Sequence, residues 1–332
     1  MINRDEFKEY ANRFRTGRID LNEFMAAVFT DSEYEPSDDS LESELIHLRL
    51  PVRPENSHKG DFGRVLLIGG SAEMPGAIAM AGLAALRTGA GLVAVVTPDE
   101  ARGIVASFSP CLMTCGVESK DGCFASSSAT RLLEKCDWAD VVAIGPGMGT
   151  TKACQKIVSS IYQHLPKPVV LDADAINCLA AGRAEGASRT DLTQHAGARI
   201  FTPHPVEFER LTGRKFKRRA EMEDYAIETA RRTEAVVVLK GPKSLVTDGT
   251  RIYRNQTGNQ GMATGGSGDV LTGMIASLVG QKMTAFESAQ NSCYLHGLAG
   301  DVYAEQSSAA SLIATDLIEQ LPAAMERLSK AR

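Results

Sequence analysis

From Gly63 onward the chain alternates short aliphatic runs with helical stretches. The runs are VLLIGG (65–70), LVAVVTP (92–98), VVAIGPGMG (141–149), PVVLDADAIN (168–177), ARIFTPHPVEFERL (198–211) and AVVVLKGPKS (235–244). Their β-branched cores are continuous, which is the pattern of strands buried on both faces. Between them lie stretches such as GAIAMAGLAALRTGAG (76–91), a helix rich in small residues. After Gly268 the chain reads as nearly all helix. Strand followed by helix, repeated, predicts an α/β fold with a mainly parallel central sheet covered on both sides. Functional loops are then expected at the carboxyl ends of the strands. No repeat of fixed period interrupts this order.

The first 50 residues follow a different pattern. Phe7, Tyr10, Ala11 and Phe14 recur at helical spacing, as do Leu21, Phe24, Met25 and Val28. They predict a pair of amphipathic helices within 1–30, joined at Thr16-Gly17-Arg18. Asp20 and Glu23 have the spacing of a capping box for the second helix. Residues 31–44, DSEYEPSDDSLESE, carry seven carboxylates and no Lys or Arg, and read as a solvated linker. So short a pair cannot bury its apolar stripes alone. It is expected to dock on the main domain, 45–332, or on a partner.

Composition narrows the function classes. The 332 residues are 43% hydrophobic but only 6% aromatic, with 30 glycines, which suits close packing of helices on a sheet. A net charge of -5 and no basic block argue against a nucleic-acid footprint. No apolar run reaches the ~18 residues of a membrane span, and the N-terminus lacks a signal-peptide core. Seven cysteines without a CxxC read as reduced thiols of a cytoplasmic protein.

The strand-end loops hold the candidate chemistry. GGSAEMPGA (69–77) does not match a dinucleotide fingerprint, and no Walker loop occurs. GPGMG (145–149) could bring a flat ligand close to the backbone. Asp172 and Asp174 in LDADAIN could hold a metal or cap a helix. In TPHPVE (202–207), His204 is fixed between two prolines and Glu207 could hold a magnesium-bound water near phosphates. KGPKS (240–244) could cradle a nucleotide. Thr264-Gly265-Gly266-Ser267-Gly268 precedes an apolar helix, whose unpaired N–H groups and partial positive charge would make an anion hole. Asp269 stands at its entrance, suited to take a proton from a hydroxyl attacking phosphorus, and the helix field is expected to lower its pKa. A side chain at Gly268 would crowd the phosphate and oppose a left-handed backbone.

GxGD at a helix start resembles the ribokinase-like superfamily. HKGDFGRVLLIGGS (58–71), MPGA (74–77), GPGMG, VLDADAIN, TPHPVE, VLKGPKS and GNQGMATGGSGDVLTG (258–273), in this order, resemble the NAD(P)H-hydrate dehydratase family over about residues 45–330. The resemblance implies a ribokinase-like three-layer α/β/α domain; the helical pair lies outside it, as an appendage. It implies dehydration of the S epimer of hydrated NADH or NADPH, driven by ADP or ATP with magnesium through phosphorylation of the ring hydroxyl. By motif, Asp269 would be the catalytic base, and Ala77, Gly149, His204 and Asp269 would contact the dinucleotide. Lys240, Gly241, Pro242, Lys243, Ser244 and Gly268 would contact the adenine nucleotide, and Glu207 would orient magnesium. A homotetramer is expected.

Two departures stand out. Val206 occupies a position commonly glycine in the family. Many relatives carry an epimerase domain ahead of the dehydratase, whereas only about 50 residues precede the motifs here, so reliance on a separate epimerase, or on spontaneous epimerisation, is expected. Two other readings compete: a hydroxyethylthiazole kinase-like enzyme, which would share GxGD but not HKGDFG or TPHPVE, and a non-catalytic nucleotide-binding scaffold.

Overall fold

A computed structural model describes residues 48–181 and 191–330. The predicted helical pair, the acidic linker and the proposed domain start at residue 45 lie outside the described residues. The remaining chain builds the predicted alternation: β1 (Arg64–Ile68), α1 (Pro75–Arg87), β2 (Leu92–Pro98), α2 (Asp99–Ser107), β3 (Met113–Val117), β4 (Ser119–Lys120), β5 (Cys123–Phe124), α3 (Ala129–Trp138), β6 (Val141–Ile144), α4 (Lys152–His164), β7 (Val169–Leu171), α5 (Ala173–Ala181), β8 (Arg199–Phe201), α6 (Pro205–Thr212), α7 (Arg219–Thr233), β9 (Val236–Leu239), β10 (Leu245–Thr247), β11 (Ile252–Arg254), α8 (Ser267–Gly280), α9 (Ala285–Gln306) and α10 (Ala314–Lys330).

Nine strands form one sheet in the order β11-β10-β9-β8-β7-β6-β1-β2-β3. From β3 to β9 every pairing is parallel, and β10 and β11 add an antiparallel edge. The chain builds outward from β1 through β2 to β3, then returns to β6 beside β1 and builds the other way. The order therefore reverses between β1 and β6, the switch point at which ligands of open α/β sheets gather.

Strand alternation explains the three layers. Val65 and Leu67 of β1 face α1, α8 and α9, in a cluster with Ile78, Ile275 and Ala289. Leu66 and Ile68 face the other way, among Leu132, Val158, Ile161 and Ile176 of α3, α4 and α5. Successive side chains of a strand point to opposite faces, so a strand apolar at every position needs both covers. Helix α8 is buried from Val270 to Gly280. Its N-terminus is thereby brought to the carboxyl edge of the sheet and held there by packing along its whole length. No helix among the described residues is long and apolar enough to cross a membrane.

Two hairpins escaped the sequence reading. Asp121 and Gly122 have φ of 53 and 74 in the turn joining β4 to β5, and Asp248-Gly249 lies between β10 and β11. Asp-Gly is the signal that would have found both, because such turns need left-handed backbone.

Candidate active site

The loops after β1 and β6 meet at this switch point. The Gly70 N–H donates to the Pro146 carbonyl at 2.7 Å. Ala77, buried in the first turn of α1, has its methyl 3.0 Å from where a Cβ on Gly147 would stand. The Gly149 N–H donates to Asp174 Oδ2 at 2.9 Å, which ties this loop to the one after β7. Ala77, in α1, therefore packs beside the loop that carries Gly149.

Asp172 is the hub of the next layer. It is 1% exposed. Its Oδ1 accepts from Lys240 Nζ at 2.8 Å and from Thr202 Oγ1 at 2.8 Å, and its Oδ2 accepts from Thr272 Oγ1 at 2.7 Å. Asp172 stands immediately before α5, but its carboxylate is turned to the half-buried Lys240 and the two threonines. Burial alone would lower the Lys240 ammonium, but Asp172 and Glu207 beside it outweigh burial and hold it above the ordinary lysine value. A Cβ on Gly268 would sit 3.1 Å from Lys240 Nζ. The cation thus lies directly behind the glycine loop.

That loop ends in α8. Its N-cap is Gly266, with φ of 91 and no side-chain cap, so nothing within the helix occupies its first N–H groups. The left-handed backbone expected at Gly268 is at Gly266 instead. Gly268 is inside the helix and is small because Lys240 is close. Asp269 sits in the first turn, and its carboxylate has no hydrogen-bond partner among the described residues. Its pKa is raised to about 8, first by burial and then by Asp172, against the pull of Lys240. This overturns the expected lowering. The helix field is worth a fraction of what burial beside a second carboxylate costs.

His204 caps α6. Its Nδ1 accepts from the N–H groups of Val206 at 3.1 Å and Glu207 at 3.3 Å, while Glu207 Oε2 accepts from the His204 N–H at 2.8 Å. This is a capping box with histidine as the cap. With Nδ1 accepting, a neutral ring carries its proton on Nε2, 3.3 Å from Glu207 Oε1. Burial and Lys240 lower the His204 pKa, so the neutral form is favoured. Burial raises that of Glu207. Both Glu207 oxygens are engaged inside the chain, and the side chain is 6% exposed. Val206 gives its N–H to the cap, and its side chain is 45% exposed and lies outside the cavity lining.

A cavity of about 860 Å³ opens beside these groups. Of the expected site residues it is lined by His204, Lys240, Gly241, Pro242, Lys243, Ser244, Gly268 and Asp269; Ala77, Gly149 and Glu207 lie outside its wall. Residues 240–244 form a tight turn closed by Ser244 Oγ donating to the Gly241 carbonyl at 3.0 Å. Arg219 braces it from behind, donating to the carbonyls of Leu239 and Lys240. The far wall is the start of the 258–273 motif together with Asn255, Gln256 and Thr257 and with Cys293, His296 and Gly297 of α9, which the sequence did not single out. Asp301 fastens that segment, accepting from the Gly258 N–H at 2.8 Å and Asn259 Nδ2 at 3.1 Å. Among the described residues no group of three or more His, Cys, Asp or Glu side chains is placed to hold a metal ion.

The site can therefore bind an anion on helix amides backed by a cation, next to a carboxylate whose proton affinity is near neutral. A family model described as NAD(P)H-hydrate dehydratase matches residues 65–323. The chain is 40% identical over 286 residues to a bifunctional NAD(P)H-hydrate repair enzyme of Moorella thermoacetica, covering 85% of this chain and 53% of that protein. It spans about half the length of the bifunctional relatives it matches. It is 35% identical over 290 residues to an ADP-dependent (S)-NAD(P)H-hydrate dehydratase of Bacillus subtilis, covering 86% of this chain and 96% of that one. A solved ADP/ATP-dependent NAD(P)H-hydrate dehydratase from Bacillus subtilis, co-crystallised with ATP and magnesium, superposes with a TM-score of 0.72 at 32% identity, over 85% of this chain and 96% of that chain. The fold is that of the ribokinase-like superfamily.

Proposed function

The chain belongs to the NAD(P)H-hydrate dehydratase family, and on that premise we propose that it returns the S epimer of hydrated NADH or NADPH to the intact dinucleotide, with ADP or ATP as phosphoryl donor. The observation that carries the reading is the Asp269 carboxylate, without a hydrogen-bond partner among the described residues and with its pKa near 8, at the amide end of α8 beside the cavity. A general base works best with a pKa near the operating pH.

In this mechanism the ring hydroxyl gives its proton to Asp269 as its oxygen attacks the terminal phosphorus. The bond from that phosphorus to its bridging oxygen breaks, releasing AMP from ADP or ADP from ATP. The N–H groups at the start of α8, backed by Lys240, stabilise the transferring phosphoryl group. Phosphate then leaves ring carbon six, pushed out by the ring nitrogen lone pair. Loss of a proton from the neighbouring carbon restores the double bond. Ala77, Gly149 and His204 would position the dinucleotide. Lys240, Gly241, Pro242, Lys243, Ser244 and Gly268 would position the adenine nucleotide.

Magnesium keeps much of its water shell and travels with phosphates. The ion would arrive with the nucleotide, and Glu207, both of whose oxygens are engaged within the chain, would act on it only through water. It would neutralise phosphate charge. We further assign the protein to the cytoplasm as a homotetramer, and pair it with a separate epimerase, since a dehydratase selective for one epimer leaves the other unrepaired. The test is incubation with hydrated NADH and ADP or ATP, following the absorbance of reduced nicotinamide. Recovery that requires nucleotide supports the reading. Phosphorylation of a thiazole alcohol instead, or nucleotide binding without turnover, would replace it with a kinase or a scaffold.

A further inference from the structure

Ser267 is the first residue of α8, yet it does not cap the helix; the cap position is Gly266 and uses no side chain. Its hydroxyl is buried at the cavity wall. The one side-chain partner it has among the described residues is His296 Nε2, at 3.3 Å, from the middle of α9. His296 is itself buried and lines the same cavity. Burial brings its pKa down to about 4, against hydrogen bonding to the Ser267 backbone, so the ring is neutral throughout the physiological range.

A neutral imidazole facing a hydroxyl has two arrangements. With the proton on Nδ1, Nε2 accepts from Ser267 and the hydroxyl proton is spent. With the proton on Nε2, the ring donates to Ser267 Oγ, and the hydroxyl proton is free to turn to another acceptor. Ser267 adjoins Gly268 at the amide end of α8, where an anion would bring that acceptor. We propose that Ser267 donates its hydroxyl proton to the transferring phosphoryl group, and that His296 is the positioning residue that orients it by donating from Nε2. The chain is N–H to hydroxyl to phosphoryl oxygen, with no proton transferred. It rests on the phosphoryl-transfer reading above and adds a side-chain donor to the helix amides.

The test compares Ser267→Ala, His296→Leu, the double variant and His296→Gln, whose amide nitrogen reproduces the Nε2 donor. Ser267→Ala should lower kcat roughly 10²-fold, the usual loss for one such donor, with nucleotide KM changed less than about threefold. His296→Leu should lose about as much, the double variant no more than either, and His296→Gln should regain most of the loss. The affinity of inorganic phosphate, by calorimetry, should fall in Ser267→Ala and His296→Leu. Thermal melts identify any variant that fails to fold, and Ser267→Ala then decides alone. Turnover of Ser267→Ala within about threefold of wild type, or losses that multiply in the double variant, would overturn the pairing. If wild type does not turn over hydrated NADH, the dehydratase reading falls, and the phosphate affinities still decide whether the pair serves an anion.

Discussion

Asp172, at the end of β7, and Asp269, in the first turn of α8, are carboxylates with opposite surroundings. Asp172 accepts three hydrogen bonds, one from a lysine. Asp269 accepts none among the described residues and is fixed as a proton acceptor. Asp269→Asn should lower turnover roughly 10²–10⁴-fold, the span for a positioned base, with nucleotide affinity little changed; turnover within about threefold of wild type would remove it from that role. The same variant has a stability signature. A pKa raised from 3.8 to about 8 means that the folded chain holds this proton more tightly than the unfolded one. Its contribution is therefore full below pH ~4 and is lost as pH rises towards 8. Thermal melts should find Asp269→Asn more stable than wild type at pH ~8 by roughly 0.5–2 kcal/mol, with the gap closing towards pH ~4. Gly268→Val should weaken ADP and ATP binding while the fold survives, since its side chain would displace Lys240 from behind the loop. Unchanged affinities by calorimetry would show that the loop is not the anion hole.

At the scale of elements, α9 carries the far wall of the cavity. Gly297 has no room for a side chain: a Cβ there would run into the Thr257 hydroxyl and main chain. Thr257 Oγ1 also donates to the Tyr294 carbonyl at 2.7 Å, so the segment lies directly on the helix. In an exposed helix, Gly to Ala gains about 1 kcal/mol of propensity. Here the clash is with backbone, and overpacking of that kind costs roughly 1–3 kcal/mol. Gly297→Ala is therefore expected to lower the melting temperature and nucleotide affinity together. A variant that melts higher and binds as before would mean that the segment is not seated on α9.

At the scale of the whole molecule, the motifs fall within 58–273, and the stripes Phe7-Tyr10-Ala11-Phe14 and Leu21-Phe24-Met25-Val28 carry no catalytic residue types. Deleting residues 1–44 should leave specific activity largely unchanged. The docking expected from the sequence predicts a lower melting temperature or a shifted oligomer distribution, at roughly 25 cal/mol per Å² of apolar area returned to water. Loss of turnover in a truncated protein that still melts cooperatively and keeps its assembly would place this segment in the site. Strands β1, β2 and β6 to β9 were legible in the sequence because burial on both faces leaves continuous aliphatic runs. Strand β3 was not, since MTCGV mixes polar and small residues at the sheet's edge, nor was the β10–β11 edge, three residues per strand. Asp269 and its glycine loop were legible because a helix start is a local feature. Only the tertiary structure brought Lys240 to Asp172 across 68 residues and Thr272 to Asp172 across 100, or set His296 against Ser267. It also reversed the expected pKa shift of Asp269. The helix field that would lower it is written in adjacent residues, whereas burial and the second carboxylate that raise it exist only once distant strands lie side by side.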